Sequence, residues 1–147
     1  MTAEQPYDDL IMDHIRNARN YRVPENFTGK ANGLNPMCGD DMTIYVRVEH
    51  GVIRDAGFQC SCCGVSMASA SIMTEMVIGL QSAQANAMLE RFMAAVRSGA
   101  WTEVASPGQL AILDTVRSFP SRARCAVLPW ATLRASMENR LQTVIPH

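Results

Sequence analysis

Three cysteines set far apart along the chain constrain its fold more than any other feature. They are Cys38 in Asn35-Pro36-Met37-Cys38-Gly39-Asp40, Cys63 in Cys60-Ser61-Cys62-Cys63-Gly64, and Cys125 in Arg122-Ala123-Arg124-Cys125. With Asp40 they supply three thiolates and one carboxylate, enough to complete a four-coordinate metal site. Their spacings match no zinc finger, which would pair them as Cys-x-x-Cys. A shared site therefore needs a folded domain that brings together two loops and a helix start. Isolated cysteines often serve as small core hydrophobes. That description suits Cys38 poorly, because its neighbours are Asn35, Gly39, Asp40 and Asp41.

The 147 residues read as one domain spanning 1–147, long enough to bury a core. A net charge of −1 gives no reason to expect nucleic acid or an anionic membrane as partner. All but one of the 13 basic residues are Arg, which favours fixed charge and bidentate hydrogen bonding. No apolar run is long enough to cross a bilayer, and the N-terminus lacks the apolar stretch of a signal peptide. An odd count of 5 cysteines in such a chain argues for reduced thiols and a cytoplasmic location.

Periodicity predicts the elements. Tyr7, Leu10, Ile11, His14 and Ile15 mark an amphipathic helix from about residue 5 to 18, with His14 a satisfied core or cap residue. Met42 to Glu49 alternates as a half-buried strand, His50-Gly51 is a tight turn, and Val52 to Phe58 is the partner strand. From Cys63 the pattern becomes helical, with small residues Ala68 to Ser71 suited to close packing and Gly79 as terminator. A further helix carries Met88, Leu89, Phe92, Met93 and Val96. A loop covers Ser98 to Gly108, and a helix with Leu110, Leu113 and Val116 stops at Pro120. The last helical segment starts near Ser121, bends or restarts at Pro129, and leaves a loose tail after Arg140. Trp130 is expected in the core and Trp101 in the loop. The fold class is α+β, a small antiparallel β-sheet packed against several helices on one side.

The metal chemistry follows from donor type. Zinc favours tetrahedral thiolate and, less often, carboxylate coordination, and a single oxygen ligand is the exchangeable one. Cys63 stands where a strand gives way to a helix, and a helix N-terminus stabilises thiolate. Arg122, one turn before Cys125, supplies a cation that favours thiolate and is in reach of Asp40 when that carboxylate leaves the metal.

The motif around Cys38, the run Phe58 to Cys63 leading into Ser66-Met67-Ala68-Ser69-Ala70-Ser71-Ile72-Met73-Thr74-Glu75, and Met12-Asp13-His14 with Asn17-Ala18-Arg19-Asn20 together resemble one family. It is the iron–sulfur cluster assembly family of NifU N-terminal domains, IscU and SufU, and the resemblance spans roughly residues 7 to 137. The long stretch from Gln81 to Phe119 and the motif Phe119 to Trp130 resemble the SufU branch. Arg124 stands where IscU proteins carry His, and Phe119 to Ala123 replaces their Leu-Pro-Pro-Val-Lys chaperone segment.

The resemblance implies a SUF-type, zinc-dependent acceptor of persulfide sulfur from a SufS-like cysteine desulfurase, passing sulfur to downstream iron–sulfur scaffold or acceptor proteins. It implies Cys38 as persulfide acceptor, Asp40, Cys63 and Cys125 as the other Zn2+ ligands, and Arg122 as supporting cation. The alternatives are a scaffold holding iron or a 2Fe–2S cluster on the same ligands, or a metal-stabilised interaction module without sulfur traffic. Cys60-Ser61-Cys62 departs from the family's usual Gly-x-Gly. In extended chain Cys60 and Cys62 share a face, close enough to exchange sulfur or form an oxidised pair, while Cys62 points away from Cys63.

Overall fold

The sheet grows from the expected hairpin. In the computed structural model, which describes residues 7–99 and 106–145, β2 (Asp40–Glu49) and β3 (Val52–Ser61) pair antiparallel, with Ile44 opposite Phe58 and Val46 opposite Ala56. His50 and Gly51 both take positive φ, 53° and 76°, as a two-residue turn between right-twisted strands requires. Met42, Ile44 and Val46 face the core, and Thr43, Tyr45 and Arg47 face the other way.

Two further strands lie where no strand was expected. β1 (Gly29–Asn35) pairs antiparallel with β2, and β4 (Gln142–Val144) pairs parallel with β1, giving the order β3-β2-β1-β4. The sheet is therefore mixed at one edge, and the tail after Arg140 is anchored. β1 reads Gly-Lys-Ala-Asn-Gly-Leu-Asn, nearly devoid of the β-branched and aromatic residues that signal a strand. Packing explains its glycines. A Cβ on Gly33 would overlap Thr132 Oγ1 of α5 (Ala123–Met137), and one on Gly29 would overlap the Ser136 carbonyl oxygen.

The helices cover the core face. α1 (Asp9–Arg16) starts at Asp8, whose carboxylate accepts from Ile11 N at 2.9 Å. α2 (Gly64–Val77) is buried on nearly all sides, so its small residues serve close approach as expected. Ser69 Oγ donates to the Ala126 carbonyl at 2.7 Å and accepts from Trp130 Nε1 at 2.9 Å, which satisfies the fully buried indole. α3 (Ser82–Ser98) sets Phe92 against Trp130, with ring centroids 4.7 Å apart.

α4 (Pro107–Ser118) begins earlier than expected. Pro107 occupies its first turn and Ser106 caps it, so the loop is shorter at that end. The rest of that loop, with Trp101, lies outside the described residues, as does His147. The short 3-10 turn Pro120–Arg122 leads into α5. That helix runs through Pro129 without a break. Proline cannot donate to the carbonyl four residues back, that of Cys125; the Ser66 hydroxyl reaches that carbonyl instead, at 3.2 Å.

His14 is buried in the α1–α2 seam. Its Nδ1 pairs with Ser71 Oγ at 2.6 Å, and its Nε2 lies 3.6 Å from Glu75 Oε1. Burial lowers its pKa below 6.5, with Arg19 acting in the same direction and Glu75 and Asp13 opposing. The unfolded chain thus binds more protons below pH 6.5, so the stability given by neutral His14 falls as pH drops through the folded value.

Two measurements follow. Urea unfolding should show stability declining from pH 7.5 to 5.5 in the wild type, with a flatter profile in His14→Gln. Gly33→Ala should cost about 1–3 kcal/mol by overpacking α5 on β1; an unchanged urea midpoint would remove the close-approach explanation.

Candidate metal centre

Four segments meet at one end of the sheet. The β1–β2 turn carries Cys38 at its exposed tip, closed by Cys38 N donating to the Asn35 carbonyl at 3.2 Å. Gly39 follows at φ 71°, the left-handed conformation that brings the chain back into β2. Asp40, the first residue of β2, is 3% exposed. Cys63 is the N-cap residue of α2, and Cys125 sits fully buried in the first turn of α5. Two helix N-termini, with their positive dipole ends, therefore converge on this cluster.

Asp40 is the hub. Its Oδ1 accepts from Cys63 N at 3.0 Å, and its Oδ2 accepts from Ser66 Oγ at 3.1 Å and Asn35 Nδ2 at 3.3 Å. Ser66 has one hydroxyl proton, with Asp40 Oδ2, the Cys125 carbonyl and the Cys63 sulfur all within reach. Asn35 Nδ2 also lies 3.7 Å from Cys125 Sγ.

The sulfurs interact directly. Cys125 Sγ lies 3.5 Å from Cys38 Sγ. The Cys63 and Cys125 thiols shift each other's titration in opposite directions. A hydrogen bond from Cys125 draws the Cys63 pKa down to about 5 against the cost of burial, and Ser66 contributes through its N–H and hydroxyl. Cys125 is pushed up, first by donating its proton to Cys63 and then by burial. Arg122, in the 3-10 turn, bonds the Cys125 side chain, and its own pKa is raised by that contact and by nearby Cys63.

Ligand atoms of Cys38, Asp40 and Cys125 all lie within 4.8 Å of one another. Cys63 lies outside that group, while its sulfur engages Cys125 and stands 3.6 Å from Ser66 Oγ. Arg122 meets the sulfur of Cys125. Asn35 and Ser66 were not singled out for a role from the sequence. Ser66 stands three residues after Cys63, on the same helix face, and that spacing was the available signal. Cys60 and Cys62 are joined by a disulfide, which corrects the expectation of five reduced thiols; their i, i+2 placement on one face had allowed such a pair.

Residues 6–136 match the model of the NifU-like N-terminal domain. The chain belongs to that family. It is 33% identical over 127 residues to the zinc-dependent sulfurtransferase SufU of Bacillus subtilis, with 86% of each chain covered. It is 28% identical over 139 residues to the iron–sulfur cluster assembly scaffold protein IscU of Thermotoga maritima, covering 95% of this chain and 97% of that one. A crystal structure from Fervidobacterium islandicum, described as a SUF-system scaffold, superposes with TM-score 0.81 at 28% identity, covering 90% and 96% of the two chains. The N-terminal NifU-like protein of Brucella abortus shares the fold at TM-score 0.76 and 18% identity. Members named as a sulfurtransferase and as scaffolds thus both align along nearly the whole family domain.

The donor set suits a tetrahedral thiophilic ion. At bond lengths of about 2.3 Å, two sulfurs on such an ion stand about 3.8 Å apart, close to the Cys38–Cys125 separation of 3.5 Å. The lowered pKa of Cys63 favours the thiolate form that a binding cation needs, and the raised pKa of Cys125 marks a proton that such a cation would displace. The Asp40 hub makes its own prediction. Ser66→Ala should lose about 1–3 kcal/mol of unfolding free energy, because buried acceptors on Asp40 and Cys125 lose their donor. Wild-type stability in that variant would show that the hydroxyl is not holding the hub.

Proposed function

We propose that this family member is a SUF-type, zinc-dependent acceptor of persulfide sulfur, working with a SufS-like cysteine desulfurase in the cytoplasm. The observation that carries this reading is the asymmetry of the cluster: Cys38 is exposed on a turn tip, and its sulfur lies 3.5 Å from that of fully buried Cys125. A purely structural site has little reason to expose one sulfur this way. Cys38, Asp40, Cys63 and Cys125 would hold Zn2+, which when bound keeps thiols deprotonated at neutral pH.

The chain's own residues then have distinct tasks. Cys38 thiolate attacks the outer sulfur of the desulfurase persulfide. The sulfur–sulfur bond on the desulfurase breaks, its cysteine leaves as thiolate, and Cys38 holds the persulfide, with no net oxidation or reduction. Asp40 is the exchangeable oxygen donor, kept in place by Ser66, Asn35 and the Cys63 N–H. Arg122 offsets negative charge beside Cys125 and Cys63. Sulfur would pass on to downstream iron–sulfur scaffold or acceptor proteins.

Anaerobically isolated protein should contain about one zinc per chain, and Cys125→Ser should lower both zinc content and Tm. Full zinc and an unchanged Tm in that variant would remove Cys125 from the ligand set. Visible absorption from a 2Fe–2S cluster in the isolated protein would favour the scaffold reading, which the IscU relatives represent. Cys38→Ser should stay folded by circular dichroism yet fail to accelerate a partner desulfurase. Full stimulation by that variant would end the acceptor mechanism.

A further inference from the structure

The Cys60–Cys62 pair lies outside the tasks assigned above, yet it adjoins the cluster. β2 and β3 pair Met42 with Cys60 and Asp41 with Ser61, the last pair of the ladder, and Cys62 follows directly, between that pair and Cys63. Alternation puts Asp40, Met42 and Cys60 on one face of the sheet, the face that carries the cluster, and the disulfide joins Cys62 to Cys60 there. The Cys63 N–H bonded to Asp40 ties this end of β3 to the site. Tyr21 OH holds the backbone at Cys60 from the open edge, 3.2 Å from its N and 3.0 Å from its O. Both cysteines are half-buried, so neither is a sealed core residue.

A structural staple is a poor account of this pair. The bond spans a sequence separation of 2. Loop-closure stabilisation grows with loop length, so this bond restrains the unfolded chain very little. In its reduced form the same pair holds two electrons to give, in a segment that adjoins the cluster.

We infer that Cys60 and Cys62 form a dithiol that reduces the sulfur accepted by Cys38 and releases it as sulfide; the inference rests on the acceptor reading above. Cys62, the one adjacent to Cys63 of the cluster, attacks the outer sulfur of the Cys38 persulfide as thiolate. The Cys38 sulfur–sulfur bond breaks, Cys38 leaves as thiolate, and Cys62 now carries the persulfide. Cys60 thiolate attacks the inner sulfur of Cys62, expelling HS⁻ and forming the Cys60–Cys62 disulfide. The transferred sulfur gains two electrons and the two thiols lose them, so the step balances within the chain. The disulfide is the product state, and a dithiol reductant of the thioredoxin class resets it between turnovers.

The test is a single turnover. Zinc-replete protein is reduced, freed of reductant under anaerobic conditions, and mixed with a desulfurase carrying one persulfide and no free cysteine. Wild type should release about one sulfide per chain, and mass spectrometry should show the Cys60–Cys62 peptide lighter by two hydrogens. Cys60→Ser should instead trap the persulfide on Cys62. Cys60→Ser/Cys62→Ser should keep it on Cys38 and release at least roughly tenfold less sulfide. Equal sulfide from wild type and the double variant would overturn the inference. So would a wild-type chain that holds persulfide on Cys38 while both thiols stay reduced, although the acceptor reading would survive. If Cys38 gains no sulfur in either protein, the acceptor reading fails and this inference falls with it. Circular dichroism and zinc content of both variants confirm that a loss of sulfide release reports chemistry rather than misfolding.

Discussion

A buried carboxylate organises one end of this molecule. Burying such a group is costly unless its oxygens are well hydrogen-bonded, and Asp40 meets that demand from three directions. The N–H of Cys63, the hydroxyl of Ser66 and the amide of Asn35 bind it. Those partners belong to the start of α2, its first turn and the end of β1. One side chain thereby fixes how the hairpin turn, the sheet and a helix meet. The thiols are carried on the segments it locks.

The second constraint is how closely α5 lies on the sheet and on α2. Gly29 and Gly33 leave room for Ser136 and Thr132, and Ser69 bonds both Ala126 and Trp130. Pro129 adds to this in an unexpected way. By leaving the Cys125 carbonyl without its helical donor, it frees that oxygen for Ser66, the residue that also binds Asp40. The helix interior is thus tied chemically to the cluster, and Cys125 is held by its backbone as well as by its sulfur contacts.

Exposure divides the labour among the sulfurs. Cys38 rides on a turn held by Gly39 and the Asn35 carbonyl, which leaves its thiol exposed. Cys125 is sealed, and Cys63 is drawn toward thiolate by its neighbour and by the helix end it caps. Such a gradient from open to enclosed sulfur serves transfer chemistry better than uniform burial would. The same fold carries relatives named as scaffolds and as a sulfurtransferase, which shows that the architecture alone does not choose between them.

The sequence by itself determined the main hairpin, the five helices of the described residues, and Cys38, Asp40 and Cys125 as candidates for one site, which the fold does bring together. Those features rest on local information: alternation in Met42 to Val48, the His50-Gly51 turn, apolar spacing along each helix, and cysteines in settings that core packing explains poorly. It left β1 invisible, because Gly29, Ala31 and Gly33 are there for the helix above them rather than for strand propensity. β4 is short, with too few residues to show a period, and its pairing depends on β1 already being in place. Only the tertiary structure decided that Pro129 leaves α5 unbroken, since the compensating donor lies 63 residues earlier, counting from Ser66 to Pro129. It alone revealed Ser66 and Asn35 as the donors that hold Asp40, and it left Cys63 outside the tightest ligand group. A residue's type and period are written locally, but a hydrogen-bond partner from a distant element exists only once packing has set the distance between them.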